Sequence, residues 1–146
     1  MRRFEWIDGI DVSDLELPVR QTSDSAGYDL CALHDVTLAP ARVTLVPTGV
    51  RARMRAGEFL ALYARSSLAI RYGLFLANGV GVIDADYADN PSNHGHIMIP
   101  LLHFGEKDIR IARKERIAQG VFTAFLLTDD DSPKTQKRVG GFGSTL

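Results

Sequence analysis

The sequence contains a single cysteine, Cys31, so an intrachain disulfide is excluded and a reducing compartment is expected. No apolar run approaches the length of a membrane span, and Arg2 and Arg3 are not followed by the apolar segment of a signal peptide. With 17 basic and 18 acidic side chains, the net charge is −1, which argues against a nucleic-acid polymer or a membrane as partner. We expect a soluble protein of the cytoplasm, or of a host cell's cytoplasm if the source is a virus.

Long helical patterns are also scarce, whereas short strand patterns recur between Gly and Pro turns. The 146 residues are enough for one domain with a real core. Residues 50–55 alternate apolar residues with arginines, as expected for a strand with one buried face and one solvated basic face. Residues 66–73 predict one short helix, with a serine cap at its start and glycine at its end. The fold class is therefore an all-β barrel or sandwich.

The segment over residues 78–87 combines turn residues, β-branched residues and two carboxylates. If it is a strand throughout, Asp84 and Asp86 share one face and Tyr87 lies on the other. Two acids beside an aromatic ring suit a water-activating base and a flat ligand. A hairpin tip is the alternative interpretation.

Three further segments have both a functional and a structural interpretation. Residues 64–67 offer Arg65 and two hydroxyls at a helix start, which suits an anion, although an ordinary N-cap explains them too. Gln119 lies within an apolar run and needs a partner, either backbone or ligand. The glycine-rich tail around Phe142, preceded by basic residues, suits a phosphorylated ligand with a ring to stack on, or a disordered terminus. The histidines do not have zinc-ligand spacing with Cys31.

Taken together, five segments resemble the five motifs of the trimeric deoxyuridine triphosphatase (dUTPase) family, in family order and at family-like spacing. These segments are residues 25–30, 64–69, 78–87, 116–119 and 138–145.

The resemblance implies a β-jelly-roll homotrimer with one short helix and with active sites shared between subunits. It implies a domain over residues 1–131 and a flexible C-terminal arm over residues 132–146. The implied reaction is the Mg²⁺-dependent hydrolysis of dUTP to dUMP and pyrophosphate, which keeps uracil out of DNA and supplies dUMP for dTMP synthesis. As the charge balance also indicates, we expect no polymeric nucleic acid and no membrane to take part.

Roles for individual residues also follow from the resemblance. Asp84 would deprotonate the water that attacks the α-phosphorus, Gln119 would bond phosphate or that water, and Asp29 would contact the water shell of the metal. Tyr87 would pack on the deoxyribose and exclude a 2′-hydroxyl. The implied substrate-binding residues are Arg65, Ser66, Ser67, Asn78, Gly79, Val82, Tyr87, Arg138, Phe142, Gly143 and Ser144.

The sequence departs from the family pattern in a few places. Ser67 stands where many members have glycine, residues 88–95 resemble an insertion, and Lys137 holds the position where many members have the arginine that we assign to Arg138. Two rival functions share the fold. One is a dCTP deaminase, against which the short chain and the glycine-rich tail argue, and the other is a non-catalytic nucleotide-sensing module, against which Asp84 argues.

Overall fold

The computed structural model describes residues 1–134 and shows eleven strands, one α-helix and one 3₁₀-helix within them. The strands are β1 (Arg3–Trp6), β2 (Tyr28–Cys31), β3 (Val36–Leu38), β4 (Val43–Pro47), β5 (Val50–Arg53), β6 (Glu58–Tyr63), β7 (Leu74–Leu76), β8 (Gly81–Asp84), β9 (Met98–His103), β10 (Ile109–Ile111) and β11 (Arg116–Ala124). The α-helix α1 spans Ser66–Tyr72, and the 3₁₀-helix spans Ala85–Asp89. The predicted all-β fold with one short helix is confirmed.

All strand pairs in these sheets are antiparallel. The largest sheet has the order β2-β11-β6-β8, a second has the order β4-β9-β7, and β1-β5 and β3-β10 form two-stranded ribbons. The core lies between these layers, where leucine and isoleucine side chains from most strands meet and lose their contact with water. Its fully buried members include Leu30, Leu60, Ile99, Leu101 and Ile117.

The segment around Asp84 is not the continuous strand that the sequence predicts. β8 ends at Asp84, and the 3₁₀-helix that follows contains both Asp86 and Tyr87. The expectation that alternation places Asp84 and Asp86 on one face is therefore wrong, because that rule applies only to extended backbone. The hairpin interpretation is also wrong, since β7 pairs with β9 and β8 pairs with β6. Residues 77–80 connect two different sheets.

The short helix begins differently from the prediction. Its N-cap is Arg65, which makes no side-chain capping bond, so the predicted serine cap is wrong. Ser66 and Ser67 are instead the first two helical residues. Gly73 does end the helix, in a left-handed conformation (φ 63°) with its N–H donated to the carbonyl of Ala69.

The arginines of β5 are partly neutralised rather than simply solvated. Glu5 on β1 lies opposite Arg51, and its carboxylate pairs with Nε of Arg51 at 2.8 Å and with Nε of Arg53 at 3.0 Å. The side chain of Arg51 is only 18% exposed. Burial opposes ionisation of Glu5, but hydrogen bonds from Arg3, Arg51 and Arg53 outweigh it and lower the pKa of Glu5 to about 2.

Within residues 1–134, none of the helices has the length and apolar character needed to cross a bilayer. Most of the predicted arm over residues 132–146 lies outside the described part of the chain, so the domain boundary at residue 131 stays a prediction.

Candidate functional site

Four of the sequence-predicted site residues meet at one end of the largest sheet. Gln119 on β11 lies opposite Asp29 of β2 on one side and opposite Tyr63 of β6 on the other. Immediately after Tyr63 the chain turns into α1, which places Arg65 and Ser66 at the same edge. Strand register thus gathers residues that are far apart in the sequence.

A cavity of about 230 Å³ forms where these elements meet. Its walls come from the loop before β2, from β2 itself, from the start of α1 and from β11. The lining residues are Gln21, Ser25, Gly27, Asp29, Arg65, Ser66 and Gln119.

Gln119 is held in place by backbone on two sides of the cavity. Its Nε2 donates to the carbonyl oxygen of Ala64 at 3.3 Å. Its Oε1 faces Gly27, where an added Cβ atom would lie only 2.3 Å away. The polar amide within an apolar strand therefore bonds backbone. A side chain on Gly27 would force the Gln119 amide out of this position.

Asp29 is a nearly buried carboxylate between two arginines. Its side chain is 10% exposed, and its two oxygens lie 3.3 Å from Nε of Arg65 and 3.3 Å from a guanidinium nitrogen of Arg116. One acid paired with two arginines leaves this group of three with a net positive charge, and two of its members, Asp29 and Arg65, line the cavity. The arginine guanidinium matches the oxygens of a phosphate, so the cavity suits a phosphorylated ligand.

The donor set fits Mg²⁺ held mainly by a ligand's phosphates. Among residues 1–134 there is no group of three or more His, Cys, Asp or Glu side chains that could hold a metal ion. Asp29 is the carboxylate that lines the cavity. Mg²⁺ keeps much of its water shell and commonly binds one carboxylate together with substrate phosphates, so Asp29 could meet it through water.

Asp84 lies away from this cavity within a single copy of the chain. It is paired with Phe59 of β6, whereas Gln119 is paired with Tyr63 of the same strand. These two partners, Phe59 and Tyr63, are four residues apart, which is roughly 13 Å along β6 at about 3.3 Å per residue. The predicted base and the cavity therefore occupy different ends of the sheet.

The other predicted residues in the segment 78–87 do not line the cavity either. Asn78 and Gly79 are exposed on the connection between the sheets, and Val82 is 58% exposed on β8. Tyr87 is only 4% exposed, and its hydroxyl donates to the carbonyl of His96 at 2.8 Å. Any contact of Tyr87 with a ligand must use the small part of the side chain that remains accessible.

The remaining predicted residues are placed as follows. Ser67 is half-buried in the first turn of α1 and does not line the cavity of about 230 Å³. The predicted ligands Arg138, Phe142, Gly143 and Ser144, with the reserve Lys137, lie outside residues 1–134.

Two residues that sequence reasoning gave no role take part in this site. Arg116 is the second partner of Asp29, and Ser25 lines the cavity. Both residues stand inside the five motif segments named above. The pairing of Arg116 with Asp29 could not be predicted, because it depends on the register of β11 against β2, which includes a shift between Arg116 and Ala118.

A second cavity of about 400 Å³ lies behind Asp29 and contains the only cysteine. Burial raises the pKa of the Cys31 thiol, and the charge of Asp29 adds to the effect. The thiol is therefore protonated near neutral pH, which does not suit a nucleophile.

Comparison with known proteins relates the chain to one family. A sequence model described as dUTPase matches residues 13–146. The deoxyuridine 5′-triphosphate nucleotidohydrolase of Lactococcus lactis is 44% identical over 146 residues, which cover 99% of this chain and 97% of the relative. The enzyme of the same name from Roseobacter denitrificans is 38% identical over 151 residues, covering 98% and 94%.

Solved structures give the same relation. The crystal structure of dUTPase from Streptococcus mutans superposes with a TM-score of 0.83 at 44% identity, covering 86% of this chain and 98% of that one. A mutant dUTPase of phage phi11 of S. aureus, described with the coordination of a structural Mg(II) ion, has a TM-score of 0.73 at 17% identity and covers 92% and 97%. At that identity it supports the fold alone.

Proposed function

The chain belongs to the dUTPase family and hydrolyses dUTP, and we propose that the reaction occurs in a site that copies of the chain complete together. The observation that carries this proposal is the separation of two groups of residues. Asp29, Arg65 and Gln119 meet at one end of the largest sheet. Asp84 on β8 is paired with Phe59, four residues along β6 from Tyr63, the partner of Gln119. A site that uses both groups needs the cavity of one copy and Asp84 of another.

The surface around Asp84 has the apolar character that an interface between copies would bury. Val80 and Val82 are 45% and 58% exposed, and both lie close to the exposed Asn78 and Gly79. Bringing these valines against a second copy removes apolar surface from water. The homotrimer of the family is consistent with such contacts, because cyclic symmetry repeats one interface at each copy.

At the cavity, the proposed task is to bind and orient the triphosphate. Arg65 and the hydroxyls of Ser66 and Ser67 would contact phosphate oxygens, and the amide of Gln119 would contact phosphate or the attacking water. Phosphoryl transfer depends mainly on positioning and on neutralising charge, and these side chains supply both.

Asp84 is the proposed general base. Its carboxylate would take a proton from water while the water oxygen bonds to the α-phosphorus and the bond from that phosphorus to the bridging oxygen breaks. The products are dUMP and pyrophosphate. A carboxylate in this role typically contributes about 10² to 10⁴ in rate.

Mg²⁺ is the proposed cofactor, held by the phosphates of the substrate with Asp29 in contact through water. When bound, it neutralises phosphate charge that Arg65 alone cannot balance. The pairing of Asp29 with Arg65 and Arg116 keeps the carboxylate oriented toward the cavity edge.

Selection of uracil and deoxyribose is assigned to residues 78–87 and to the C-terminal segment. Backbone at Asn78 and Gly79 would read the uracil edge, and Val82 and Tyr87 would enclose the nucleoside. The C-terminal roles follow from the family resemblance and lie outside the described residues: Arg138 on the γ-phosphate, Phe142 stacked on uracil, and Gly143 and Ser144 closing over the ligand. A cytoplasmic location is supported by the single cysteine.

The direct test is incubation of the purified full-length chain with Mg²⁺ and, separately, dUTP, dCTP, dTTP or UTP. Nucleotides are resolved by chromatography and pyrophosphate is assayed. We expect dUMP and pyrophosphate from dUTP alone. A uracil nucleotide formed from dCTP would assign the deaminase activity instead, and absence of turnover of every nucleotide would favour the nucleotide-sensing module.

A further inference from the structure

The hydroxyl of Tyr87 is engaged on two sides by one loop, residues 90–96. It donates to the carbonyl oxygen of His96 at 2.8 Å and accepts from Nδ2 of Asn93 at 2.8 Å. The hydroxyl proton and one lone pair are thus both in use. Together with the 4% exposure of the side chain, these bonds fix where the ring lies.

The loop has its own internal hydrogen bonds. Oδ1 of Asn93 accepts the N–H of Gly95 at 3.1 Å, while Oδ1 of Asn90 accepts both the N–H and the hydroxyl of Ser92, at 3.0 and 2.9 Å. The N–H of His94 donates to the carbonyl of Asn90 at 2.8 Å. The loop is therefore a folded unit rather than an open excursion of the chain.

The loop also packs directly on the 3₁₀-helix that carries Tyr87. Gly95 has a φ of +76°, and a Cβ atom there would lie 2.5 Å from the Cα of Ala88. Only glycine permits this approach. At the far end, Nε2 of His96 accepts the N–H of Gly49 at 2.8 Å, which ties the loop to the body of the protein next to β5.

We propose that Asn93 is a positioning residue that sets the place of the Tyr87 ring and thereby the preference for deoxyribose over ribose. The inference rests on the proposed contact of Tyr87 with the sugar. Tyr87 follows the proposed base, Asp84, by three residues. A small displacement of the ring changes the space that a 2′-hydroxyl would occupy, so the donor that holds the phenol in place also controls selectivity.

The chain offers variants that separate this role from the folding of the loop. Asn93→Asp keeps an oxygen that can accept the N–H of Gly95 but loses the donor to Tyr87, and Asn93→Ala removes that donor without adding a charge. Ser92→Ala is the matched control, because Ser92 bonds to Asn90. Tyr87→Phe removes the hydroxyl itself and retains the ring.

The measurement is kcat/KM for dUTP and for UTP with the full chain and Mg²⁺, expressed as their ratio, with thermal unfolding as the check on folding. We expect both Asn93 variants to lower the ratio about fivefold, because a displaced ring distinguishes less sharply between hydrogen and hydroxyl at the 2′ position. Ser92→Ala should leave the ratio unchanged. In a Tyr87→Phe background, itself lowered, Asn93→Ala should have no further effect. If Asn93→Ala does not fold, the isosteric Asn93→Asp carries the test, because Tyr87→Phe also removes the bond to His96 and does not isolate Asn93.

Two outcomes overturn the proposal and differ in what they leave standing. If the Asn93 variants and Tyr87→Phe keep the parental ratio while Tyr87→Ala lowers it, Tyr87 selects the sugar without help from the loop, and the proposed function stands. If Tyr87→Ala also keeps the ratio, Tyr87 does not contact the sugar, and that part of the proposed function fails as well.

Discussion

Oε1 of Gln119 lies where a side chain on Gly27 would have to be, 2.3 Å from the position of an added Cβ atom. Nε2 of the same Gln119 amide donates a hydrogen bond to the carbonyl of Ala64. A glycine in the loop before β2 therefore determines the position of an amide on β11. This relationship couples the loop to the cavity.

Gly27→Ala should lower dUTP turnover at least tenfold with only a modest loss of stability. The added methyl forces the Gln119 amide away and breaks its bond to Ala64, so the cavity loses an oriented group. The measurement is kcat and KM for dUTP alongside urea unfolding. Gly57→Ala is the control, because its φ of +81° makes alanine strained although no atom lies within 4 Å of the added Cβ. Equal losses of activity in both variants would contradict the assignment.

Asp84→Asn should reduce kcat by about 10² or more and leave nucleotide affinity nearly unchanged, because an amide cannot accept the proton of the attacking water. Single-turnover assays and calorimetric titration with dUTP and Mg²⁺ separate the two effects. Asp89→Asn is a matched change on the adjoining 3₁₀-helix, where Asp89 pairs with Arg53. We expect that control to remain active. Near-parental turnover of Asp84→Asn would show that another group is the base.

His96 should make the protein less stable as the pH falls below about 6.5, the ordinary pKa of histidine. Burial, followed by repulsion from His34, lowers the pKa of His96, and its Nε2 accepts a hydrogen bond from Gly49, which requires a neutral ring. Below the unfolded-state pKa the unfolded chain binds a proton that the folded chain does not. Stability is therefore fully present above that pKa and is lost as the pH falls toward the folded-state value.

The check is urea unfolding across this pH window for the parental chain and for His96→Gln, which cannot titrate. The variant should lose less stability on acidification. Parallel profiles would assign the pH dependence to other groups. Glu5 is not one of them in this window, because its pKa of about 2 moves its effect to stronger acid.

The fold and half of the site could be predicted from the sequence because the signals were local. Three strands of the largest sheet, β6, β8 and β11, follow apolar or β-branched runs, and Gly73 ends the helix as its residue type predicts. Asp29, Arg65 and Gln119 stand in recognisable motif segments, and the fold brings them to one cavity. Their proposed chemical roles remain predictions.

What the sequence could not reveal depended on register and on a change of backbone conformation. Nothing in residues 84–87 marks the point where extended chain becomes 3₁₀-helix. The faces predicted for the side chains of Asp86 and Tyr87 are therefore wrong. The position of Asp84 on the sheet is set by its pairing with Phe59, a contact between strands that the local sequence does not specify. For the same reason the pairing of Arg116 with Asp29 was not predicted.

In the proposed shared site, one copy supplies the cavity and another supplies Asp84, and subunit complementation tests this arrangement most directly. Asp84→Asn retains an intact cavity, and Gln119→Ala retains an intact base, so each variant alone should be nearly inactive. After the two are unfolded together and refolded as an equal mixture, about one quarter of the sites should combine both intact parts if a shared site forms in a cyclic oligomer. Activity near that fraction of the parental value is the predicted result. A mixture no more active than the two separate variants, despite verified mixed assembly, would contradict the shared site.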